Sequence, residues 1–457
     1  MLAFGLVAFC ATSLAAMMYV LFDGPLVKVV LAEPLYLYTL LLSLASVGLA
    51  WLIVLKTGSL GPSVFLYLFF VCYAVFGPLG VKVYRSLYGL YLGRYTITPE
   101  FPLFVWAVGT VSLLVGVLLA HSIVRRATSR YVRLWRSKPA SFFFWFIIGI
   151  ALVSTVYALI RIGYVPILRG NIDVERGNYS EVVGYPIKFS RFWLFGICMS
   201  SMFVFLRKNK TLFIVITIVS LLALTIYGQR FYIFIGLSCF ILLYYKFHRF
   251  KLHQFAYGVL LIVGLLYFAE YRSSRALERL SVSDMVTMNV ASVWQEYAVV
   301  VNQVRATQQF YEWDIFIGAM VPVLPKEVWA VFGVDKEYLI RNRGAAYVFG
   351  RQFHDPLGIR VGTIGEAYAG FGLIPGVCLQ MLLFGLILGV LEIAYLRLDK
   401  TDGRLALVCL LISIIMMLPF TTLYVTIAAA GFFGSFLFLI CEFGTIRTEV
   451  SSDERGV

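Results

Sequence analysis

Charge is scarce in this chain. Of its 457 residues only 14% are Asp, Glu, Lys or Arg, while 61% are hydrophobic. A soluble domain of this length has no interior large enough for that much apolar side chain. There is no GxxxxGK[ST] loop, so the chain has no Walker A phosphate cradle of its own for driving transport with ATP. There is no DxD pair, the carboxylates with which many nucleotide-sugar enzymes hold a divalent metal. That argues against a metal-dependent enzyme fed from the cytoplasm, and no metal or other cofactor is expected. CxxC and HExxH are also missing. The cysteines Cys10, Cys72, Cys198, Cys239, Cys378, Cys409 and Cys441 each fall inside an apolar run, so they are expected to pack cores. No internal repeat or low-complexity tract is present.

What the chain does have is long apolar runs. They recur at about 17 to 25 residues, the length that crosses about 30 Å of hydrocarbon. The expected fold is therefore all-α, a polytopic membrane protein forming a single integral membrane domain over 1–457. A transmembrane β-barrel would instead show alternating segments of about ten residues. About twelve membrane helices are predicted. They lie near 1–22, 34–55, 62–80, 101–124, 141–162, 189–207, 211–227, 230–247, 255–270, 371–396, 404–419 and 421–443. The N-terminal run has no basic start and no small-residue cleavage site, so it reads as a retained first helix.

The net charge of +14 would suggest a nucleic-acid partner in a soluble protein. Here it reads as topology signal, and no nucleic acid is expected. Four short loops hold clusters of Lys and Arg: Arg125 to Lys138, Arg207 to Lys210, Lys246 to Lys251, and Arg397 to Arg404. Placing all four in the cytoplasm agrees with helix parity and puts both termini there too. The outer face then receives a smaller loop, 163–188, and a large one, 271–361. A tight turn at Gly228-Gln229 lies on the same face.

The large loop concentrates arginine: Arg272, Arg275, Arg279, Arg305, Arg341, Arg343, Arg351 and Arg360, against only Lys326 and Lys336. Arginine's planar fork grips phosphate oxygens bidentately and stays charged. A phosphorylated substrate presented at the membrane fits that pattern. Arg272, Arg275 and Arg279 share one face if the preceding helix continues. The stretch from Val293 to Gln309 reads as an amphipathic helix, with Glu296 as a candidate acid. The smaller loop offers Arg169 and Arg176.

Three further features carry chemistry. Arg230 follows Gly228-Gln229 and opens a helix, where it is either an interfacial anchor or a phosphate ligand aided by free backbone N–H groups. The string GTIGEAYAGFG from Gly362 to Gly372 sets Glu366 and Tyr368 among close-packing glycines. Glu366 is either a salt-bridge partner or a catalytic group. His354 is the one histidine expected outside, either solvated or a general base, with His121, His248 and His253 on the cytoplasmic side.

Taken together, the Gly228-Gln229-Arg230 turn, the VWQEYAVVVNQ helix and the arginine-rich loop ending in GTIGEAYAGFGLIPG resemble the Wzy-type oligosaccharide repeat-unit polymerases. The last string is similar to an acidic, aromatic and glycine element of that family, here Glu366, Tyr368, Phe371, Gly372 and Gly376. Some members also carry a charged outer turn between the last two spans. Here the turn reads LPFTTLYVT, without arginine.

The resemblance implies a metal-independent glycosyltransferase of the membrane GT-C class. It would join undecaprenyl-pyrophosphate-linked oligosaccharides on the outer face of the cytoplasmic (inner) membrane, into an O-antigen, capsule or similar polymer. Arg230, Arg272, Arg275, Arg279, Arg341, Arg343, Arg351 and Arg360 would bind the pyrophosphate. Glu366, His354 and Glu296 are the catalytic candidates, and Tyr368 and Arg176 are assigned to the glycan. Implied partners are the lipid bilayer, a chain-length regulator and a flippase. An O-antigen ligase sharing the same donor remains an alternative, kept open by His354. A flippase or transporter for lipid-linked oligosaccharide is another. A transporter would show repeated halves and charges within its spans.

Overall fold

In the computed structural model the described residues are 34–57, 61–88, 100–127, 141–165, 182–183, 189–205, 209–226, 230–247, 282–310, 331, 333, 362–400, 402–418, 429–431, 433–435 and 437–438. Among them every regular element is helical. In chain order these are α1 (Pro34–Thr57), α2 (Pro62–Tyr88), α3 (Glu100–Ala127), α4 (Ser141–Ile162), a 3-10 turn (Ser190–Phe192), α5 (Trp193–Phe205), α6 (Lys210–Ile226) and α7 (Arg230–Phe247). Then come α8 (Val282–Thr307), α9 (Gly362–Phe371), a π-helical turn (Gly372–Cys378), α10 (Leu379–Arg397) and α11 (Arg404–Ile415).

Local chemistry sets the ends. Proline opens α1 and α2, where its missing N–H costs nothing. Gly163, at φ +75°, closes α4 by donating its N–H to Leu159 O at 2.9 Å. The Asp402 carboxylate accepts from the Arg404 N–H at 2.9 Å and caps α11.

Among the described residues, four helical stretches are long and apolar enough to cross a membrane: Leu37–Thr57, Glu100–Val124, Phe144–Ile162 and Gly362–Arg397. Shorter apolar helices cover Pro62–Val71, Ser190–Val204, Lys210–Ile226, Phe231–Phe247 and Arg404–Ile415. Their outward faces are apolar. On α1, Leu37, Leu41, Leu44, Leu52 and Leu55 are exposed; on α4, Val153, Val156, Tyr157 and Ile160; on α6, Leu212, Val215, Ile218 and Leu222. The inward faces are apolar too but also hold paired polar groups: Ser46 and Tyr67 pair at 3.1 Å, and Trp193 Nε1 donates to Thr155 Oγ1 at 2.8 Å. Apolar outside with paired polar groups inside is how a helix bundle sits in lipid. The chain is a helical membrane protein.

The chain divides into two compact units. The first holds α1, α2, α3, α9, the π-helical turn and nearly all of α8 and α10. The second holds α4 to α7, the first turn of α8, the end of α10 from Ala394 and nearly all of α11.

In the first unit α3 and α10 cross at backbone contact. A Cβ on Gly116 would strike Leu382 O, and one on Gly385 would strike Leu113 O. Helix α8 lies inside the predicted outer loop 271–361, yet it is docked by its aromatic face. Trp294 stands 5.6 Å from Tyr73 and 5.9 Å from Trp106, and Tyr297 stands 5.3 Å from Trp106. Trp106 Nε1 is spent on Phe70 O at 3.1 Å.

In the second unit α5 is buried on nearly every face. Phe144, Phe203 and Phe213 stack at one end of α4, α5 and α6. Cys198, Cys239 and Cys409 are fully buried free thiols, as expected for packing residues.

Contacts within each unit join helix ends that an up-and-down order brings together. Lys56, ending α1, donates to Ser122, near the end of α3, at 2.8 Å. Lys246, ending α7, donates to Tyr395 O and Leu396 O at 2.8 and 3.0 Å, near the end of α10.

Several predicted boundaries are corrected. The helix expected from Val293 starts at Val282, and the span expected to end near 80 runs on to Tyr88. The tenth span was expected to start at 371, but the helix starts at Gly362 and breaks at Phe371–Gly372. The glycines of GTIGEAYAGFG, expected to pack closely, lie in α9 and at its break. Gly376 lies so close to Ala367 O that a Cβ has no room, and Gly372 adopts φ +76° at the break. The predicted helices at 1–22 and 255–270 lie outside the described residues, as does most of 421–443.

Candidate functional site

The first unit presents an open cation and aromatic ledge at the end where α3 begins, α8 stops and α9 runs. Three sequence facts build it. The aromatic face of α8 anchors that helix, so its last turn is fixed, and Gln308 closes it at φ +53° by donating to Val304 O at 2.8 Å. Arg305 and Phe310 therefore project from a held helix end. Phe101, in the first turn of α3, stands beneath Arg305, whose guanidinium lies 4.2 Å from the ring centroid. On α9, Tyr368 sets its ring edge-on to Phe101 at 5.5 Å and to Phe310 at 6.2 Å.

Tyr368 is 5% exposed, whereas Phe310 is 40% exposed and Arg305 is also exposed. The ledge thus offers solvent a positive fork and an aromatic edge over a packed base. Below it, Tyr297 Oη donates to Pro102 O at 2.7 Å. Burial, with Tyr368 nearby, holds the Tyr297 phenol well above its usual pKa, so it stays a neutral donor. Gly372 has the Phe310 ring 3.3 Å from where a Cβ would sit, which joins the helix break to the ledge.

This surface can bind chemistry of two kinds. Aromatic edges and faces take the C–H faces of sugar rings, and a guanidinium takes phosphate or carboxylate oxygens. Arg305→Ala should cost about 1 kcal/mol through the lost Phe101 stacking alone. If the ledge binds an anionic ligand, the variant should also weaken that binding several-fold, read from a ligand titration.

The sequence-predicted residues fall as follows. Glu366 lies on α9, half-buried, two residues from Tyr368 and so about 200° away around the helix axis. Glu296 lies on α8, half-buried, between Trp294 and Tyr297 but off their packed face. Arg230 is the first residue of α7 in the second unit, the predicted helix N-terminal position. His354, Arg176, Arg272, Arg275, Arg279, Arg341, Arg343, Arg351 and Arg360 lie outside the described residues. Tyr368 is thus brought together with Arg305, which sequence reading placed among the loop arginines without a role. Phe101 and Phe310 were not foreseen. Their signal was an aromatic at each helix end, which nothing local distinguishes from membrane packing.

A second polar cluster also escaped sequence reading. Glu392, on α10, is 0% exposed and its Oε2 accepts from Ser63 Oγ at 2.6 Å. His121 Nε2 of α3 stands 3.4 Å from the same oxygen. A lone acid in the apolar run LQMLLFGLILGVLEIAY was the available signal. Among the described residues no group of three or more His, Cys, Asp or Glu is placed to hold a metal ion.

The chain matches no protein-family model, no curated protein and no solved structure.

Proposed function

We propose that the chain is a polytopic membrane glycosyltransferase that polymerises oligosaccharide repeat units carried on undecaprenyl pyrophosphate. The observation that carries this reading is the Arg305, Phe101, Tyr368 and Phe310 ledge, on the unit that also holds Glu366. A sugar polymer ending in a lipid pyrophosphate needs both an aromatic surface and fixed cations, and the ledge offers both.

The proposed architecture has about twelve spans in the GT-C manner. Both termini face the cytoplasm, and the ledge, to which the outer segment 271–361 contributes Arg305 and Phe310, faces outward. Partners would be the bilayer, lipid-linked oligosaccharides, a chain-length regulator and a flippase.

In the proposed reaction a hydroxyl of the acceptor repeat unit attacks the anomeric carbon of the donor glycan. The bond from that carbon to the pyrophosphate oxygen breaks, and undecaprenyl pyrophosphate leaves with the electron pair. The acceptor proton passes to a base, Glu366 or His354. Charge grows on the leaving oxygen, so preorganised arginines lower the barrier. Pyrophosphate leaves readily, so the base contributes less than the arginines. Glu366→Gln should slow elongation by well under about 100-fold, below the usual range for a general base. A wild-type rate in Glu366→Gln would leave Glu366 a packing or salt-bridge residue.

The reading is tested with full-length protein in nanodiscs, mixed with undecaprenyl-pyrophosphate repeat unit and EDTA. A ladder of multimers on a gel supports metal-independent polymerisation. Unchanged substrate, from protein that is folded by size-exclusion profile, overturns it. A ligase acceptor and a transport assay would then be tried. A specific observation keeps transport as the second reading: the buried Glu392 and His121 are ionisable groups inside spans, where coupling residues of transporters lie.

A further inference from the structure

We propose that the end of the second unit where α5 and α7 begin binds the phosphate group of a membrane lipid, and that Arg191 is the residue that grips it. The inference rests in part on the transferase reading, which already sets Arg230 against pyrophosphate. It adds a residue on the 3-10 turn before α5 that sequence analysis did not single out.

Packing brings the parts together. The Arg191 guanidinium lies 5.2 Å from the centre of the Tyr232 ring. Tyr232 follows Arg230, the first residue of α7, by two positions. Further along, a Cβ on Gly236 would stand 2.7 Å from Ile197 Cδ1, so α5 and α7 run parallel and begin at the same end. Helices α4 and α6 finish there: Ile162 and Ile226, their last residues, both pack on the pair Ala158 and Val183. Arg161, in the last turn of α4, is exposed at this end. Three arginines thus share one end of the unit, while α4, α5, α6 and α7 contain no Asp or Glu.

Arg191 is held in place. The Tyr232 ring that it covers is itself backed by Phe433 at 5.4 Å, and Phe433 by Phe195 at 5.4 Å. A ring offers a cation its face but no lone pair, so the N–H groups of the fork still need acceptors. Among the described residues, Arg191 Nε is buried and makes no hydrogen bond. A buried cationic N–H without an acceptor is costly, and the helices around it have no carboxylate to supply one. The matching group is an anion brought from outside the chain. Phosphoryl oxygens fit the guanidinium fork, and the free N–H groups that open α7 favour the same charge. At a membrane surface that chemistry comes from a polyprenyl pyrophosphate or from a bilayer phospholipid.

The test is native mass spectrometry of full-length protein in detergent micelles, titrated with undecaprenyl pyrophosphate and, separately, with phosphatidylglycerol. Wild-type protein should bind at least one of them, and Arg191→Gln should weaken that binding about tenfold, the order for a lost hydrogen bond to a charged group. Weaker undecaprenyl pyrophosphate binding identifies the polyprenyl carrier as the ligand; weaker phosphatidylglycerol binding alone identifies a bilayer lipid. Trp193→Phe removes the bond to Thr155 just after the same turn but no charge, so it should leave affinity unchanged. The proposal is overturned if wild-type protein binds neither lipid, or if folded Arg191→Gln binds both as wild-type does. An equal loss in Trp193→Phe overturns it too, because Arg191 would then act only through packing. Where Arg191→Gln does not fold, Arg191→Lys takes its place: it keeps the charge and loses the fork, so binding should fall several-fold, and undiminished binding overturns the proposal. Binding is read without glycan synthesis. Lipid binding that depends on Arg191 in a protein that makes no polymer would strike the transferase reading alone, and polymer made by a protein indifferent to Arg191 would strike this one alone.

Discussion

Gly385→Leu should prevent stable folding of the first unit, with an expected loss of about 3 kcal/mol or more. At this crossing α3 and α10 touch through backbone, with Gly116, Gly385 and Gly389 on one seam. A Cβ on Gly389 would stand 2.6 Å from Ala120 Cβ, so the seam runs for more than one turn. The obstacle at Gly385 is the Leu113 carbonyl, which cannot rotate out of the way as a side chain could. In lipid the driving force for helix association is close packing itself, because the tails are as apolar as leucine. Pushing the helices apart therefore removes the very term that joins them. Melting followed by fluorescence-detected size exclusion reads the loss. Gly48→Ala is the control: nothing lies within 4 Å of its Cβ position on α1, so stability should hold or rise slightly. Equal melting of Gly385→Leu and wild-type protein would mean that α3 and α10 do not meet in this way.

Arg230→Ala should lower elongation about 100-fold, near 3 kcal/mol of transition-state stabilisation, without loss of fold. Arg230 opens α7, an 18-residue helix, where the unbonded N–H groups of the first turn already favour an anion. Removing the guanidinium leaves those groups in place, so the effect is attributed to the side chain. Arg341→Ala and Arg343→Ala should give losses of the same order, and the double variant a greater one. His354→Ala should matter less, because a leaving group as good as pyrophosphate needs little help from a base. Wild-type glycan lengths in Arg230→Ala, Arg341→Ala and Arg343→Ala would sink the phosphate-site reading. A dead His354→Ala beside an active Arg230→Ala would favour the ligase.

The helices were legible where apolar length alone decides. Segments 141–162 and 230–247 were predicted with the bounds of α4 and α7, because charge or glycine brackets an unbroken apolar run. The start of α9 was missed because Glu366 and the glycines around it dilute the apolar run ahead of Phe371. The close approach of Gly376 to the Ala367 carbonyl is a contact between residues nine apart that no local rule anticipates. The helix of the outer segment was foreseen from Val293, but not the partners of Trp294, which lie more than 180 residues earlier at Trp106 and Tyr73. The site divides along the same line. Tyr368 was found through its motif. Arg305 was one arginine among many until Phe101 stood beneath it, and Glu392 gained meaning only from Ser63 and His121.

The break at Gly372 has a consequence in depth. From Gly362 to Arg397 the helical stretch is 36 residues. At about 1.5 Å per residue a straight rod of that length measures about 54 Å, far more than the roughly 30 Å of hydrocarbon. Helix α10 alone, 19 residues from Leu379 to Arg397, already measures about 28 Å. The bilayer is thus crossed before the π-helical turn is reached, and α9 is surplus to it. Glu366 and Tyr368 ride on that surplus. Glu392 lies at the far end of the same rod, five residues short of Arg397. One discontinuous helix is therefore long enough to span the hydrocarbon and continue beyond it.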